Sequence, residues 1–437
     1  MSSSNLYKSK IWRVFFALFA GISLLIPVSG NVSAQEALSV SMAGDLAAEQ
    51  QHQQNTTLGY YNLLLGPTSW RFSSGLDLVY DDNVKLQPRA EGDFIIRPNL
   101  NLREHWPVTV QNSLDFTLGA GFSEYLKYSE LSQLYITPGS GFSFDVYVGD
   151  FKINLHDRIT ITEDSYENAG AGGGQTEILA NTIGASADWD LNKAVINFGY
   201  DHNNYVFLAQ RPGSDNAAED TVFANAGVRV RPELLVGVEA GGGVIDYSPS
   251  GSSSTNTDPN LVQWNAGAFG SAQISDHLSI RADVGYSVYS PETTDKAVTK
   301  QNSADSSGYY ASLSLSHNVS RWLNYTLEAG RVEDLAGYTQ LQEYYYARLT
   351  PNWNIFRKFS VSTPIRWQQG NWVYSQVVGP GGANQNYDQI SLGLTVGRQL
   401  TKNISGSISY QYVQESSNTT DLTYTLNNVD LNLSWQF

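Results

Sequence analysis

The C-terminal stretch NNVDLNLSWQF (427–437) decides the fold class, because its side chains alternate between polar and apolar. In an extended chain, successive side chains point to opposite faces, so its apolar residues share one face. These apolar residues are Val429, Leu431, Leu433, Trp435 and Phe437. The nearby stretch NISGSISYQY (403–412) repeats the pattern with serines on its polar face. Alternation of this kind predicts β-strands with one apolar and one hydrophilic face.

The same alternation recurs from Ser69 to Phe437 and predicts about eighteen antiparallel strands, with sixteen as the alternative count. The predicted strands span residues 69–80, 93–103, 108–123, 140–149, 151–162, 176–189, 194–207, 220–231, 234–247, 261–274, 277–289, 307–318, 321–332, 343–354, 358–372, 386–399, 402–414 and 422–437. Short links alternate with longer loops rich in Gly, Ser, Asn and Asp, such as 168–175 and 248–260. This order is typical of a transmembrane up-and-down β-barrel.

Physical chemistry favours a closed barrel over a soluble sandwich. Serine-rich strand faces have no evident partner in a dry core, and a soluble sheet would leave edges to protect. In hydrocarbon, backbone groups find no outside partners, so only a helix or a closed sheet can span it. Closure at about eighteen strands leaves an aqueous channel or a plugged lumen. Trp106, Trp189 and Trp435 lie near strand ends, where aromatic rings mark membrane interfaces.

The first 34 residues predict an export signal. Lys8, Lys10 and Arg13 precede an apolar run, and Val32-Ser33-Ala34 supplies small residues for cleavage. An uncleaved membrane anchor is the alternative, but the run is short for a spanning helix. We therefore expect a signal peptide at 1–34, a periplasmic N-terminal extension at 35–68 and the barrel at 69–437.

Composition excludes several functional classes. The chain has no cysteine, so it has no disulfide, thiolate metal site or cysteine nucleophile. Its formal net charge is −16, and removal of the signal peptide would take away three more basic residues and no acidic ones. This charge argues against nucleic acid as a partner. No sequence motif calls for a cofactor.

The first predicted hairpin resembles a known family. A strand ending in Tyr80-Asp81-Asp82-Asn83, an outward loop, and then Asp93-Phe94 opening a returning strand resemble the porin-2-like outer-membrane β-barrel family. That family includes barrels found alongside exopolysaccharide assembly systems. The resemblance implies a fold and a location, and its substrate is open. The strand ending at Phe437 looks like the signal read by the outer-membrane assembly machinery.

Charged residues on the polar faces are candidates for lining the lumen. The predicted set is Asp115, Asp145, Arg229, Glu239, Arg281, Asp283, Glu328, Arg348, Arg366 and Arg398. Mixed charges suit a water-filled lumen with a transverse field, as selective pores use. The alternative is a set of salt bridges that brace the wall. Because the side-chain period is two, a slip of one residue would move any of them to the other face.

The sequence gives weaker support for metal binding and for hydrolysis than for a lumen lined by charges. Asp81, Asp82 and Asn83, joined by Asp93, could bind calcium or magnesium, but turn and capping roles are commoner for such residues. His156 alternates faces with Asp157, and neither it nor His202 lies in a hydrolase or metal motif. We predict no metal and no catalytic residue.

The sequence therefore predicts a non-enzymatic barrel in the outer membrane of a Gram-negative cell, in contact with its lipid and lipopolysaccharide. The expected function is a porin-like channel for hydrophilic solutes or a conduit in exopolysaccharide export, with polysaccharide as a candidate partner. A plugged surface barrel that acts through its extracellular loops is the alternative.

Overall fold

The computed structural model describes residues 61–163, 177–208, 215–249, 260–291, 306–336, 340–355, 359–372, 385–418 and 423–437. Its strands are β1 (Leu63–Leu65), β2 (Thr68–Asp81), β3 (Asp93–Pro107), β4 (Ser113–Tyr125), β5 (Gln133–Val148), β6 (Phe151–Glu163), β7 (Glu177–Asp190), β8 (Ala194–Phe207), β9 (Asp215–Arg231), β10 (Leu234–Pro249), β11 (Leu261–Ser275), β12 (Leu278–Pro291), β13 (Ser306–Ser320), β14 (Leu323–Ala336), β15 (Gln340–Ile355), β16 (Phe359–Ser362), β17 (Ile365–Trp372), β18 (Gln385–Gln399), β19 (Ile404–Ser417) and β20 (Tyr424–Gln436). A short 3-10 helix spans Ser129–Leu131. Within these ranges, no helix is long and apolar enough to cross a membrane.

The sheet is a closed antiparallel barrel. Each long strand pairs with its neighbours along the chain, and β2 also pairs with β20, from Ser73↔Gln436 to Asp81↔Asn428. Both β16 and β17 lie between β15 and β18, so they form one barrel strand interrupted before Ile365. The three-residue β1 only adds a hairpin partner to β2. Eighteen strands therefore close the barrel in the described part of the chain, and the predicted fold class is confirmed.

The alternation of the sequence sorts side chains between the two faces of this barrel. In β20 the apolar set is exposed on the outer face, from Val429 at 39% to Phe437 at 50%. On the opposite face, Tyr424 and Leu426 are buried and Asn432 hydrogen-bonds to Asp77 of β2. Lipid-facing positions are thus apolar, and polar side chains meet each other across strands on the inner face, except at the loop end, where apolar side chains such as Tyr424 and Leu426 also point inward.

Aromatic side chains ring the outer face near both ends. Along β2, Phe72 lies near the end with the short turns (the turn end), and Tyr80 near the end with the long links (the loop end). Eight residue steps separate them, roughly 26 Å along a strand at about 3.3 Å per residue. At a tilt of about 40° this gives roughly 20 Å of height, close to the apolar band of an outer-membrane barrel.

One predicted strand begins seven residues earlier than expected. We predicted a strand at 140–149, whereas β5 begins at Gln133. Its register jumps between Ile136 and Ser140, where β5 has two more residues than β4 or β6 needs for regular pairing. The extra residues form a bulge that accommodates a proline, which cannot donate a ladder hydrogen bond, so the strand continues through it. We call residues 137–140 the lumen bulge.

The predictions for the chain ends and the longest loops fall largely outside the described residues. The signal peptide at 1–34 and all of the extension at 35–68 except residues 61–68 are among them. So are the loop at 168–175 and most of the loop at 248–260. These boundaries stay predictions.

Candidate functional site

Strand register places nine of the ten predicted lumen residues on the inner face. They are Asp115, Asp145, Arg229, Glu239, Arg281, Asp283, Glu328, Arg348 and Arg366. Glu328 is opposite Arg348, and Arg348 is opposite Arg366, so these three form a row across β14, β15 and β17. Whether they act on a passing solute stays a prediction.

Arg398 is the exception, and its predicted place on the inner face is wrong. It shares the face of Leu392 and Leu394, both exposed on the outside of β18. Its guanidinium carbon lies 4.9 Å from the centre of the Phe359 ring on β16. At the turn end of the barrel, a cation stacked on an aromatic ring can sit at the interface level without entering the apolar band.

The most buried group of these inner charges lies on β10 to β13. Arg281 binds Asp283 at 2.7 Å and lies 4.0 Å from Glu239. The Tyr310 hydroxyl donates to Glu239 at 2.7 Å, and the Ser312 hydroxyl donates to Asp283 at 3.0 Å. Only glycine at 267 and 285 leaves room for the Tyr310 ring to reach Glu239. These contacts join β10, β12 and β13 across the intervening β11, as the bracing alternative predicts.

Ion pairs at the turn end have the same bracing character. Arg229 binds Asp190 at 2.7 Å, and Lys152 lies 3.5 Å from Asp145. The first pair joins β9 to the end of β7, and the second joins the neighbouring strands β5 and β6. The inner wall therefore has two parts. Salt bridges brace the strands at the turn end and on β10 to β13, whereas Glu328, Arg348 and Arg366 form a row of charges that remain candidates for contact with a solute.

His156 makes a buried contact that sequence reasoning missed. Its Nε2 lies 2.9 Å from an Asp201 carboxylate oxygen, across Gly184, and its Nδ1 lies 2.9 Å from the Asn154 side-chain oxygen. Ser143 is the register partner of His156, yet its hydroxyl accepts a hydrogen bond from Asn154. Both ring nitrogens are thus occupied by groups other than a hydroxyl, and the arrangement does not activate a nucleophile.

The Tyr80–Asn83 motif opens the connection between β2 and β3, residues 82–92, which we call the seam loop. The Asp81 carboxylate accepts the backbone N–H of Asn83 at 2.8 Å. Asp82 accepts both the backbone and the side-chain N–H of Asn427 on β20, at 2.6 and 2.7 Å. The Asn83 side chain, fully buried, donates to the carbonyls of Gln87 and Thr425. The motif fastens the first strand of the barrel to the last.

Asp93 closes the same loop at its other end. Its carboxylate accepts the backbone N–H groups of Phe94, Lys127 and Tyr128, at 2.7 to 3.1 Å. The acidic oxygens of the motif therefore bind amide donors, which fits the turn and capping role better than a cation. Among residues that the structure describes, no three His, Asp or Glu side chains are grouped to hold a metal ion.

Apolar residues of the seam loop pack against inward-facing side chains at the loop end. Val84 is buried among Val79, Ile95 and Tyr125. Leu86 is buried against Val413, Tyr424 and Leu426, on the inner faces of β19 and β20. The loop therefore folds inward over the seam between β2 and β20. Tyr80, the first motif residue, instead packs its ring on Phe94 on the outer face, 4.8 Å between centres.

A second irregular site lies on the inner wall from β20 to β5. A row of amides and one carboxylate crosses three strands: Asn432 and Asn99 both donate to Asp77, and Asn101 donates to Asn99 at 3.0 Å. The lumen bulge continues this row, because a Cβ on Gly119 would collide with both Asn101 Oδ1 and Thr137 Oγ1. The sequence shows a proline-glycine pair there but not which side of the wall it occupies.

Comparisons with known proteins give a likeness of fold only. No family model matches the chain, and no curated protein matches it. It is similar to solved structures of Pseudomonas aeruginosa OccK2 (OpdF) in complex with glucuronate (TM-score 0.48, 9% identity, 86% of this chain and 100% of that one) and of Pseudomonas aeruginosa OpdL (0.47, 12%, 85% and 99%). Acinetobacter baumannii OccAB3 is similar at 0.46, with 10% identity over 84% and 99%. The barrel itself is established by the strand pairing above.

Proposed function

We propose that this chain is a channel for hydrophilic solutes in the outer membrane of a Gram-negative cell. The observation that carries the proposal is the division of the barrel into an apolar outer face and a polar inner face. Membrane lipid would cover the first, and water would fill the second. Eighteen strands enclose more space than inward side chains alone can fill.

Three features support the membrane setting. Exposed aromatic residues ring both ends of the outer face, with a spacing that suits the apolar band. Sheet closure between β2 and β20 leaves no open edge among the long strands that the structure describes. The Arg398 guanidinium, stacked on Phe359, lies at the turn end rather than mid-strand. We infer that lipopolysaccharide and other outer-membrane lipids contact this face, and that the strand ending at Phe437 addresses the assembly machinery.

Within this function, we favour passive solute passage and keep export of exopolysaccharide as the finer hypothesis, which depends on the resemblance of the Tyr80–Asn83 motif. Catalysis is not part of the proposal, because His156 binds Asn154 and Asp201 rather than a hydroxyl. The mature protein would lack residues 1–34.

Planar-bilayer conductance tests the channel. Purified protein should give discrete current steps that scale with salt concentration, because an aqueous lumen conducts ions. Silence in the bilayer, from protein that still shifts on a gel between unboiled and boiled samples, would contradict the proposal. Absence of current from folded protein would favour a plugged surface barrel.

The position of the seam loop favours the plugged barrel. The seam loop folds inward and buries Leu86 against the inner faces of β19 and β20. If it closes the lumen, a deletion of Lys85–Glu91 joined by two glycines should convert a silent protein into a conducting one. If the wild type already conducts, the same deletion should raise the step size by less than twofold.

A further inference from the structure

We propose that the lumen bulge and the amide row beside it form a binding subsite for uncharged carbohydrate on the inner wall. This inference rests on the proposed channel function, because it concerns a solute inside the lumen. Three sets of groups carry it: a chain of side-chain amides, a half-buried aromatic ring and a bulged backbone segment whose Thr137 side chain lies on the inner wall.

The amide row supplies the hydrogen-bonding groups. Asn99 and Asn432 donate to the two different oxygens of Asp77, so this carboxylate is engaged by amides on both sides. Asn101 then donates to Asn99 Oδ1. A side-chain amide carries two donors and two acceptor lone pairs, and this row uses only part of that capacity. Planar groups with adjacent donors and acceptors match the neighbouring hydroxyls of a sugar ring.

The charge around the row is mixed, because Asp77 and the nearby Asp430 of β20 have one guanidinium, that of Arg97, between them. Asp77 is the register partner of Arg97 on β3, and the Arg97 Nε–H donates to Ser123 at 3.1 Å. The carboxylate of the row thus has a guanidinium opposite it, and the remaining members are amides. An uncharged solute with many hydroxyls fits such a surface better than an anion does, because the two carboxylates would repel an anion and the amides can bind hydroxyls.

Tyr135 supplies an aromatic surface next to the row. Its ring lies over Gly121, since a Cβ there would collide with the Tyr135 ring and hydroxyl. Gly121 on β4 is the register partner of both Asn99 on β3 and Tyr135 on β5, so the ring reaches over β4 at the height of the amide. The Tyr135 side chain is half-buried, and its register with Gly121 puts it on the inner face. An aromatic ring beside polar groups can stack on the apolar C–H face of a sugar ring while the polar groups bind its hydroxyls.

The bulge gives this surface a ledge. Thr137 Oγ1 lies over Gly119 on the inner wall, and Pro138 and Gly139 are exposed. The segment is fixed by Ser140, whose buried hydroxyl accepts the Gly119 N–H and donates to the Thr137 carbonyl. Gly139 and Gly141 have φ of +85° and +146°, which side chains rarely adopt, so glycine is needed for this path. Bulges of this kind redirect side chains toward a site.

The test uses the whole protein in a planar bilayer with maltohexaose as the neutral sugar. Polyethylene glycol of the same mass serves as a blocker of similar size that lacks ring faces and hydroxyl pairs. Maltohexaose should block the current at lower concentration than the glycol. Asn101→Ala should weaken the sugar block about three- to tenfold, the effect of one lost hydrogen bond. Tyr135→Leu should weaken it by a similar factor.

Deletion of Pro138 and Gly139 removes the two surplus residues and should restore regular pairing, with loss of most of the sugar block. Asn324→Ala is the matched control, because Asn324 accepts from Asn352 in a similar amide pair on β14. Equal block by both polymers, or equal sugar affinity in Asn101→Ala and Asn324→Ala, would overturn the subsite even if the channel conducts.

Calorimetry of maltohexaose binding to the detergent-solubilised protein separates the two proposals. Binding that is weakened by Asn101→Ala and Tyr135→Leu, in a protein that gives no current, would support the subsite and contradict the channel. Current without sugar binding would support the channel and contradict the subsite. Absence of both would overturn the subsite as well as the channel.

Discussion

The seam loop and the lumen bulge both interrupt the regular barrel, but they are held in different ways. The seam loop is fastened by charged and buried groups on both sides, with Asp82 bound to β20 and Asp93 bound to the segment after β4. The bulge is held chiefly by one hydroxyl, that of Ser140, and by two glycines with positive φ. The loop therefore joins distant parts of the chain, whereas the bulge shapes one strand.

This difference predicts a division of roles. Groups that close the barrel between its first and last strands contribute to global stability, because closure depends on contacts between residues more than 300 positions apart. A bulge within one hairpin should contribute less to stability and more to the shape of the lumen. Substitutions in the two segments should then separate unfolding free energy from solute binding.

The largest effect is expected for Asp93→Ala. Loss of the carboxylate leaves the backbone N–H groups of Phe94, Lys127 and Tyr128 without their acceptor, at about 1 kcal/mol each, or about 3 kcal/mol in total. Equilibrium unfolding in guanidinium, with the protein in phospholipid vesicles, measures this loss in the free energy of unfolding. Asp93→Asn keeps one acceptor oxygen and should recover about half of the loss. An Asp93→Ala variant as stable as the wild type would refute the fastening role.

Leu86 allows a test of packing against backbone strain. Its φ is +50°, unusual for a leucine, and its side chain is buried on Val413, Tyr424 and Leu426. Leu86→Ala should cost about 2 kcal/mol through lost packing. Leu86→Gly loses the same packing but removes a left-handed strain of about 1 kcal/mol, so it should be more stable than the alanine variant. The reverse order in the same unfolding assay would show that this backbone conformation is unstrained.

Ser140→Ala should have a smaller effect on stability. The fully buried hydroxyl satisfies the Gly119 N–H, and its loss should cost about 1 kcal/mol. The bulge should also loosen, so maltohexaose block should weaken while unfolding changes little. Ser409→Ala is the control, because its hydroxyl accepts from Thr395 on the accessible inner wall, where water can replace it. Equal effects of the two substitutions on sugar block would contradict the proposal that the bulge shapes the lumen for sugar binding.

The seam loop was partly predictable from the sequence and the bulge was not. The motif residues Asp81, Asp82 and Asn83 are turn formers that follow a strand, so local chemistry indicated capping. Their partner Asn427 could not be found, because it depends on which strands meet at closure. At the bulge, the pair Pro138-Gly139 reads as a turn, and the strand was therefore predicted to start after it.

Strand register explains which other predictions from the sequence were right and which were wrong. Eighteen strands were predictable because alternation in each one survives errors of a few residues at its ends. Arg398 was assigned to the wrong face, although Leu392 and Leu394 at even positions of the same strand mark the outer face. The His156–Asp201 contact spans three strands across Gly184, and only the pairing offsets of β6, β7 and β8 bring it together.

The smallest predicted effect is a response of the seam loop to pH. Lys85 binds Glu91 at 2.9 Å, and the Tyr128 hydroxyl donates to the same carboxylate at 2.8 Å. The hydrogen bond from Lys85, followed by that from Tyr128, lowers the pKa of Glu91 below its ordinary value of 4.5. Its stabilising effect is therefore present above pH 4.5 and lost as the pH falls through the lowered pKa.

The same contact raises the pKa of Lys85 above 10.5, chiefly through the hydrogen bond to Glu91, so its contribution is present below that pH and lost above the raised value. Because the chain has no cysteine, a fluorophore on Arg89→Cys can report loop motion by anisotropy. We expect lower anisotropy at pH 3 than at pH 7, and a smaller difference in high salt, since the pair is solvent-exposed. Glu91→Gln should reduce the acid response but not abolish it, because the carboxylates of Asp82 and Asp93 also hold the loop. If that variant responds to acid like the wild type, those two carboxylates account for the whole response, and the Lys85–Glu91 ion pair adds nothing to the fastening of the seam.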